Sequence, residues 1–161
     1  MQPVTTTRAH CAGFAVALTW LIVAAAPADA AGCDFEPQGE GRVAAVIDAR
    51  TFRLTDGREI RLAGIEPVAG TKASRTAALA AVIAGREVTL SGDDDSPDRY
   101  GRQPAFVHLA GSDTAAQSVL LAQGEALVSA DVADKDCAAT LFAAEAEARR
   151  AKRGIWADRQ P

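Results

Sequence analysis

Residues 41–67 constrain the fold of this chain more than any other stretch of the sequence. Apolar residues alternate with polar or small ones in three successive runs, at Val43, Ala45 and Ile47, at Phe52 and Leu54, and at Ile60 and Leu62. A period of two is typical of strands with one buried face. Asp56-Gly57 separates the last two runs, and this dipeptide readily adopts the positive φ angles of a tight hairpin turn. The stretch therefore predicts a three-stranded meander that opens a small barrel.

The rest of the chain supplies two further strands and three helices. The predicted strands are residues 87–90 and 104–109, and the predicted helices are residues 71–84, 114–123 and 137–153. Gly85 and Gly124 follow the first two helices, where glycine commonly ends a helix. Thr114 and Gln117 have the spacing of a capping box at the start of the second helix. Together these elements indicate an α+β domain.

The order of these motifs resembles that of the staphylococcal nuclease family. The family pattern V-x-D-G-D-T-x-x-L, followed by R-L-x-G-I-D-x-P-E, is similar to VIDARTFRL and RLAGIEP in this chain. Later agreement comes from DRYGR, LLAQGEALV and AEAEARRAKRGIW, at residues 98–102, 120–128 and 144–156. The resemblance covers nearly the whole chain after residue 40. It implies an α+β fold, a five-stranded OB-fold β-barrel with three α-helices, but a fold does not by itself carry an activity.

Residues 1–30 have the organisation of an export signal. Arg8 supplies a positive charge, residues 11–26 form an almost unbroken apolar run, and Ala28-Asp29-Ala30 is a small-x-small cleavage site. A transmembrane anchor is the alternative, but the run is short for spanning and ends at Pro27. We therefore predict an exported protein, periplasmic or secreted.

About 130 residues remain after such a signal, enough for one domain. We assign residues 31–40 to an N-terminal lead, 41–157 to the nuclease-like domain and 158–161 to a tail, and we expect a monomer. The formal net charge is −4, whereas a protein that holds a nucleic-acid backbone by bulk charge normally carries the opposite sign. This charge does not exclude a local basic site.

Two cysteines, Cys33 and Cys137, remain after removal of the signal. In an exported domain they favour one disulfide that ties the lead to the last helix. The alternative is lipidation of Cys33, because Ala30-Ala31-Gly32-Cys33 resembles a weak lipoprotein cleavage box. Lipid on Cys33 would attach the protein to a membrane and would prevent the disulfide. We favour the disulfide and expect no integral membrane association.

The resemblance assigns roles to three residues that this chain retains. The two arginines that stabilise charge on the phosphate fall on Arg61 and Arg102, and Tyr100 matches a tyrosine that contacts phosphate. The alternative role for each arginine is a surface ion pair, with Glu66 and Asp98 as candidate partners. Arg61 and Arg102 are thus the catalytic candidates. Because Arg50 would form a compact cationic patch with these two arginines, the anion-binding candidates are Arg50, Arg61, Tyr100 and Arg102.

Other positions depart from the family pattern. A calcium-binding aspartate falls on Arg50, and the second aspartate falls on Glu66. The catalytic glutamate falls on Ala69, or on Val68 in an alternative alignment. The two tyrosines that flank a bound nucleotide fall on Ala130 and Val132. A guanidinium at position 50 repels a divalent cation, and it could form a salt bridge with Glu66 or Asp48.

We therefore expect no metal site and no cofactor, although the family uses calcium. The favoured interpretation is an exported, thermonuclease-like pseudoenzyme that binds a nucleotide, a nucleic acid or another anion. One alternative is an active nuclease for DNA or RNA with a rearranged metal site on Asp48, Glu66 or Asp98. The other is a structural module whose arginines are all ion-paired. The sequence leaves open whether the protein is an enzyme, although the lost carboxylates favour a protein without catalytic activity. If it is active, we expect a nuclease.

Overall fold

The computed structural model describes residues 32–33 and 35–157. The predicted signal, residues 1–30, and the tail, residues 158–161, lie outside this part of the chain. The elements within it are β1 (Pro37–Val46), β2 (Thr51–Leu54), β3 (Glu59–Leu62), β4 (Ile65–Pro67), α1 (Lys72–Ile83), β5 (Glu87–Ser91), β6 (Arg102–Leu109), α2 (Ala116–Gln123), β7 (Ala126–Val128), α3 (Lys135–Arg150) and a 3-10 helix (Gly154–Trp156).

Five strands close into a barrel in the order β1-β2-β3-β6-β5. The β3–β6 pair is parallel and the other neighbours are antiparallel. The four apolar side chains of β2 and β3 that point into the barrel are almost completely buried: Phe52, Leu54, Ile60 and Leu62. The structure thus confirms the α+β fold, with a five-stranded OB-like barrel and three α-helices in the described residues.

The first strand differs from its prediction in two ways. It begins at Pro37 rather than at residue 41, because the residues before Arg42 pair with β5. The pairing with β2 shifts register between Val43 and Ala45, so that Val43 is buried, Ala45 is exposed and Val46 is half-buried. The predicted alternation of Val43, Ala45 and Ile47 is therefore wrong after Val43, since a β-bulge reverses the faces of the residues that follow it.

Neighbouring strands β3 and β6 carry two of the site arginines, Arg61 and Arg102. Gly57 has a φ of +94° at the predicted Asp56-Gly57 turn. Ile60 and Leu62 point inward, so Glu59 and Arg61 face outward by alternation. In the neighbouring strand Arg102 pairs with Glu59, and Pro104 pairs with Arg61.

Helix α1 forms as predicted, with Thr71 as its N-cap: the Thr71 hydroxyl accepts a hydrogen bond from the Ser74 amide at 3.1 Å. Its buried side chains, Leu79, Val82 and Ile83, are those on the predicted apolar face. They pack the helix against the barrel core.

The predicted capping box of α2 is wrong. Ala115 is the N-cap of this helix and no side chain caps it. Gln117 is completely buried instead: its amide donates to the Ala105 carbonyl at 2.9 Å, and its side-chain oxygen accepts from the Val107 amide at 3.2 Å. Burial against β6 offers Gln117 stronger partners than the exposed Thr114.

Helix α3 begins at Lys135 and ends at Arg150, whereas the sequence predicts residues 137–153. Asp134 caps its start by accepting a hydrogen bond from the Cys137 amide at 2.7 Å. The structure contains the disulfide between Cys33 and Cys137 that the cysteine count favours. None of the described helices combines the length and the apolar character needed to cross a membrane.

Candidate functional site

A cleft of about 340 Å³ lies between the corner that joins β1 to β2 and the start of α1. Its charged lining residues are Asp48, Arg50, Lys72, Arg75 and Arg102. Four cationic side chains thus face one carboxylate. These residues come from the corner after β1, from the start of α1 and from the first residue of β6.

Arg50 is held at the corner by its backbone and by its side chain. The Arg50 amide donates to the Asp48 carboxylate at 2.9 Å, which fixes the turn. The Arg50 guanidinium lies 2.6 Å from the Glu66 carboxylate and donates to the Ile65 carbonyl at 3.3 Å. Of the two partners that the sequence offers, Glu66 therefore pairs with the side chain, and Asp48 binds the backbone.

Glu66 is placed for this contact by a short sheet that the sequence did not predict. Strand β4 pairs with β7, and Glu66 lies opposite Leu127 in the ladder. Strands of three residues are too short to show a period of two, which is why pattern analysis missed both.

Arg61 is linked to this corner, but it does not line the cleft. Its guanidinium lies 4.0 Å from the same Glu66 oxygen, at the limit of an ion pair. The Arg61 Nε atom is buried and has no hydrogen-bond partner among the described residues. Arg61 and Glu66 line a second pocket of about 210 Å³, together with Asp93, Asp131 and Asp134. This second pocket is therefore acidic, with four carboxylates and one arginine.

Arg102 is fixed by Asp98 in the DRYGR segment. Two guanidinium nitrogens of Arg102 donate to one Asp98 oxygen, at 2.7 and 3.0 Å. The other oxygen accepts from the amides of Tyr100 and Arg102, at 2.9 and 3.1 Å. The hydrogen bond from the Arg102 side chain lowers the pKa of Asp98 to about 2, and the same bond raises the pKa of Arg102. Asp98 is therefore a weak base that holds Arg102 in position.

Tyr100 lies outside the cleft on the surface. Its side chain is 65% exposed, and the guanidinium of Arg102 stacks on its ring at 5.0 Å from the centroid. Arg99 stacks on the same ring at 4.8 Å. The structure thus brings Tyr100 beside Arg102 rather than among the residues that line the cleft.

Sequence analysis missed two of the four cations, Lys72 and Arg75. Arg75 donates to the carbonyls of Thr71 and Val68, at 3.4 and 3.5 Å. Neither Lys72 nor Arg75 forms an ion pair with a carboxylate in the part of the chain that the structure describes. The sequence did contain a signal for these two cations. Both lie in the first turn of α1, which has no acidic residue, and the positive end of a helix dipole together with basic side chains favours a bound anion.

The residues at this corner do not fit the calcium ion that the family resemblance implies. The guanidinium of Arg50 forms an ion pair with the carboxylate of Glu66, which would otherwise be a candidate ligand of the calcium ion. Asp48 uses one oxygen to accept the Arg50 amide. In the described residues, no group of three His, Cys, Asp or Glu side chains is close enough to hold a metal ion. Ala69 and Val68, at the position of the catalytic glutamate, carry no ionisable group.

The chemistry that this arrangement supports is anion binding. Guanidinium groups match the geometry of phosphate and carboxylate oxygens, and an ammonium adds a point charge. Ion pairs with Glu66 and Asp98 partly neutralise Arg50 and Arg102. Lys72 and Arg75 then face the carboxylate of Asp48, so one positive charge of the lining stays uncompensated. The cleft can therefore attract one small anion.

Comparison with known families gives one match. Residues 68–158 match the family model described as staphylococcal nuclease homologue, and this segment is more than half of the chain. The matched segment contains Lys72, Arg75 and Arg102, and it begins after Arg50 and Arg61. A search of curated proteins returned no match.

Proposed function

The chain belongs to the staphylococcal nuclease homologue family, and on that basis we propose that it binds a phosphate-bearing or other anionic ligand in its cleft without calcium-dependent hydrolysis. The observation that carries this proposal is the ion pair of 2.6 Å between Arg50 and Glu66. A guanidinium takes the place of a divalent cation at the corner, so the positive charge belongs to the protein itself.

The charge of the cleft supports the binding half of the proposal. Lys72 and Arg75 form no ion pair with a described carboxylate, and their two charges exceed the single charge of Asp48 in the same lining. Arg102 is held in place by Asp98, so its remaining donors are oriented before a ligand arrives. Preorganised donors lose little entropy when the anion binds.

The missing groups support the non-catalytic half. Loss of a general base alone typically lowers a rate by about 10²–10⁴. Asp98 is a poor substitute, because Arg102 lowers the pKa of this carboxyl to about 2. Loss of the metal would remove the stabilisation of the developing charge as well.

Export is part of the proposal. Residues 1–30 have the pattern of a signal peptide, and a disulfide joins Cys33 to Cys137. Disulfides persist in oxidising compartments, so the periplasm or the extracellular space would preserve this bond.

The binding test is a calorimetric titration of the purified protein with inorganic phosphate. We expect saturable binding that Arg75→Gln weakens by about tenfold or more, because a charge-assisted hydrogen bond is worth about 1.5–3 kcal/mol. Arg86→Gln is the matched control, since Arg86 is exposed and does not line the cleft. Absence of saturable binding, or equal losses in the two variants, would contradict the binding half.

The activity test is hydrolysis of single-stranded DNA and RNA with calcium, magnesium, manganese or a chelator. We expect no cleavage above background under any of these conditions. Metal-dependent cleavage that disappears with chelator and in Arg102→Ala would overturn the non-catalytic half. It would favour a rearranged nuclease site on Asp48, Glu66 or Asp98.

A further inference from the structure

The cationic cleft continues into an apolar groove. The groove has a volume of about 670 Å³ and is lined by Val46 and Ile47 on one side, and by Ala73, Ala77 and Ala80 of α1 on the other. Lys72 lines both the cleft and the groove. The end of β1 and the start of α1 therefore form one trough that is cationic at one end and aliphatic at the other.

Thr76 also lines the groove. Its hydroxyl oxygen is buried and has no hydrogen-bond partner among the described residues. A buried hydroxyl without a partner has a free-energy cost.

A nucleobase does not suit the groove. No aromatic side chain lies among the residues that line the cleft or the groove, all of which the structure describes. Base recognition on protein surfaces depends largely on stacking against aromatic rings. The aliphatic walls instead match a hydrocarbon chain, whose burial is favourable and needs no particular orientation.

A polynucleotide does not suit the surroundings. The second pocket adjoins the corner through Glu66 and carries the carboxylates of Asp93, Asp131 and Asp134. A polynucleotide with one phosphate in the cleft and the next phosphates in the second pocket would be repelled by these carboxylates. The charge pattern favours a ligand with a single phosphate group.

We propose that the ligand is a single phosphate monoester with an aliphatic chain, its phosphate between Lys72, Arg75 and Arg102 and its chain along Val46, Ile47 and α1. This inference rests on the proposed function, because it assumes that the cleft holds an anion. It adds the chemical class of the ligand and assigns the apolar groove to the same molecule.

The test is a calorimetric series of inorganic, butyl, hexyl and octyl phosphate, each below its micelle concentration. Burial of a methylene is worth about 0.8 kcal/mol, or about fourfold in affinity when complete. Because the groove is open on one side, we expect about twofold to fourfold for each methylene. Octyl phosphate has four more methylenes than butyl phosphate, so it should bind at least about 16-fold tighter.

Two alanines of α1 provide a matched pair of variants. Ala77 lines the groove, whereas Ala81 is exposed on the same helix and does not line it. Glutamine is a good helix former and adds no charge at either position. Ala77→Gln should lower the ratio of octyl phosphate affinity to inorganic phosphate affinity by about fivefold or more, since it removes most of the gain from several methylenes. Ala81→Gln should leave this ratio unchanged.

The outcomes separate this inference from the proposed function. If inorganic phosphate binds but chain length has no effect, the inference is wrong and the proposed function stands. If no phosphate binds, the proposed function fails. An octyl glucoside that binds as tightly as octyl phosphate would contradict the role of the phosphate. Binding to vesicles that contain phosphatidic acid, without binding to monomeric octyl phosphate, would replace the single ligand by a membrane surface.

Discussion

At the scale of single residues, Arg50 has the largest effect on the chemistry of the corner. The sequence identifies the charge reversal at this position and offers Glu66 or Asp48 as partners. Only the fold decides between them, since Glu66 reaches Arg50 through the β4–β7 sheet. Arg50 and Glu66 thus form a guanidinium–carboxylate pair at the position where the family resemblance predicts two carboxylates around a calcium ion.

Asp98 provides a prediction about pH at the same scale. The hydrogen bond from the Arg102 side chain lowers the pKa of Asp98 from its ordinary value of 3.8 to about 2. The stabilisation that this ion pair contributes is therefore complete above pH 3.8, and it is lost as the pH falls through about 2. The pKa can be measured by NMR from the carboxyl carbon shift of Asp98, in the native protein and in Arg102→Gln.

We expect the pKa of Asp98 to rise towards its ordinary value in Arg102→Gln, because the main cause of the shift is removed. The pKa of Asp94 is lowered by hydrogen bonds from Ser96 and should not respond, so it serves as an internal control. An Asp98 carboxyl that titrates at its ordinary pKa in the native protein would contradict the ion pair.

At the scale of elements, α3 is anchored by a buried carboxylate. Glu145 is 5% exposed in its side chain, forms an ion pair with Arg149 and accepts a hydrogen bond from the Val128 amide of β7 at 2.7 Å. The Arg149 guanidinium stacks on the Trp156 ring at 4.4 Å from the centroid. Glu145 thus connects α3 to β7 directly, and to the 3-10 helix through Arg149.

Glu145→Ala should lower the free energy of unfolding by about 1–3 kcal/mol, because it leaves the Val128 amide without its hydrogen-bond acceptor. Glu147→Ala is the matched control, since Glu147 pairs with Arg153 on the same helix at 53% exposure. An exposed pair is worth about 0–1 kcal/mol. Urea unfolding measures both variants, and equal losses would show that burial of Glu145 does not matter.

At the scale of the whole molecule, the disulfide closes most of the described chain into one loop. Cys33 and Cys137 are 104 residues apart, and both are buried. Next to Cys33, Phe35 stacks on Phe106 of the barrel with ring centroids 4.9 Å apart. The lead is therefore tied both to α3 and to the barrel.

Loss of this bond should lower the free energy of unfolding by about 4–5 kcal/mol, because a loop of about a hundred residues gains that much chain entropy when it opens. The variant is Cys33→Ala with Cys137→Ala, and alanine avoids burying a new hydroxyl. Urea unfolding of the oxidised protein, the reduced protein and the double variant gives the comparison. A double variant within about 1 kcal/mol of the oxidised protein would contradict the loop-closure argument.

The local pattern of the sequence was sufficient for much of this architecture. Phe52, Leu54, Ile60 and Leu62 alternate because they lie on one face of a barrel, and the Asp56-Gly57 turn follows from the backbone freedom of glycine. The cysteine count was enough to favour the disulfide. The alternation and the turn depend on residue type and on near neighbours. The disulfide joins residues 104 apart, and it could be predicted because only two cysteines remain after the predicted signal.

Only the tertiary structure decided the site. The cleft requires α1 to lie beside the corner after β1, and this contact alone brings Lys72 and Arg75 to Arg50 and Arg102. It equally decided that Gln117 enters the core instead of capping its helix. Partners of this kind are distant in sequence, and which of them meet depends on the packing of whole elements, a property that no local pattern contains.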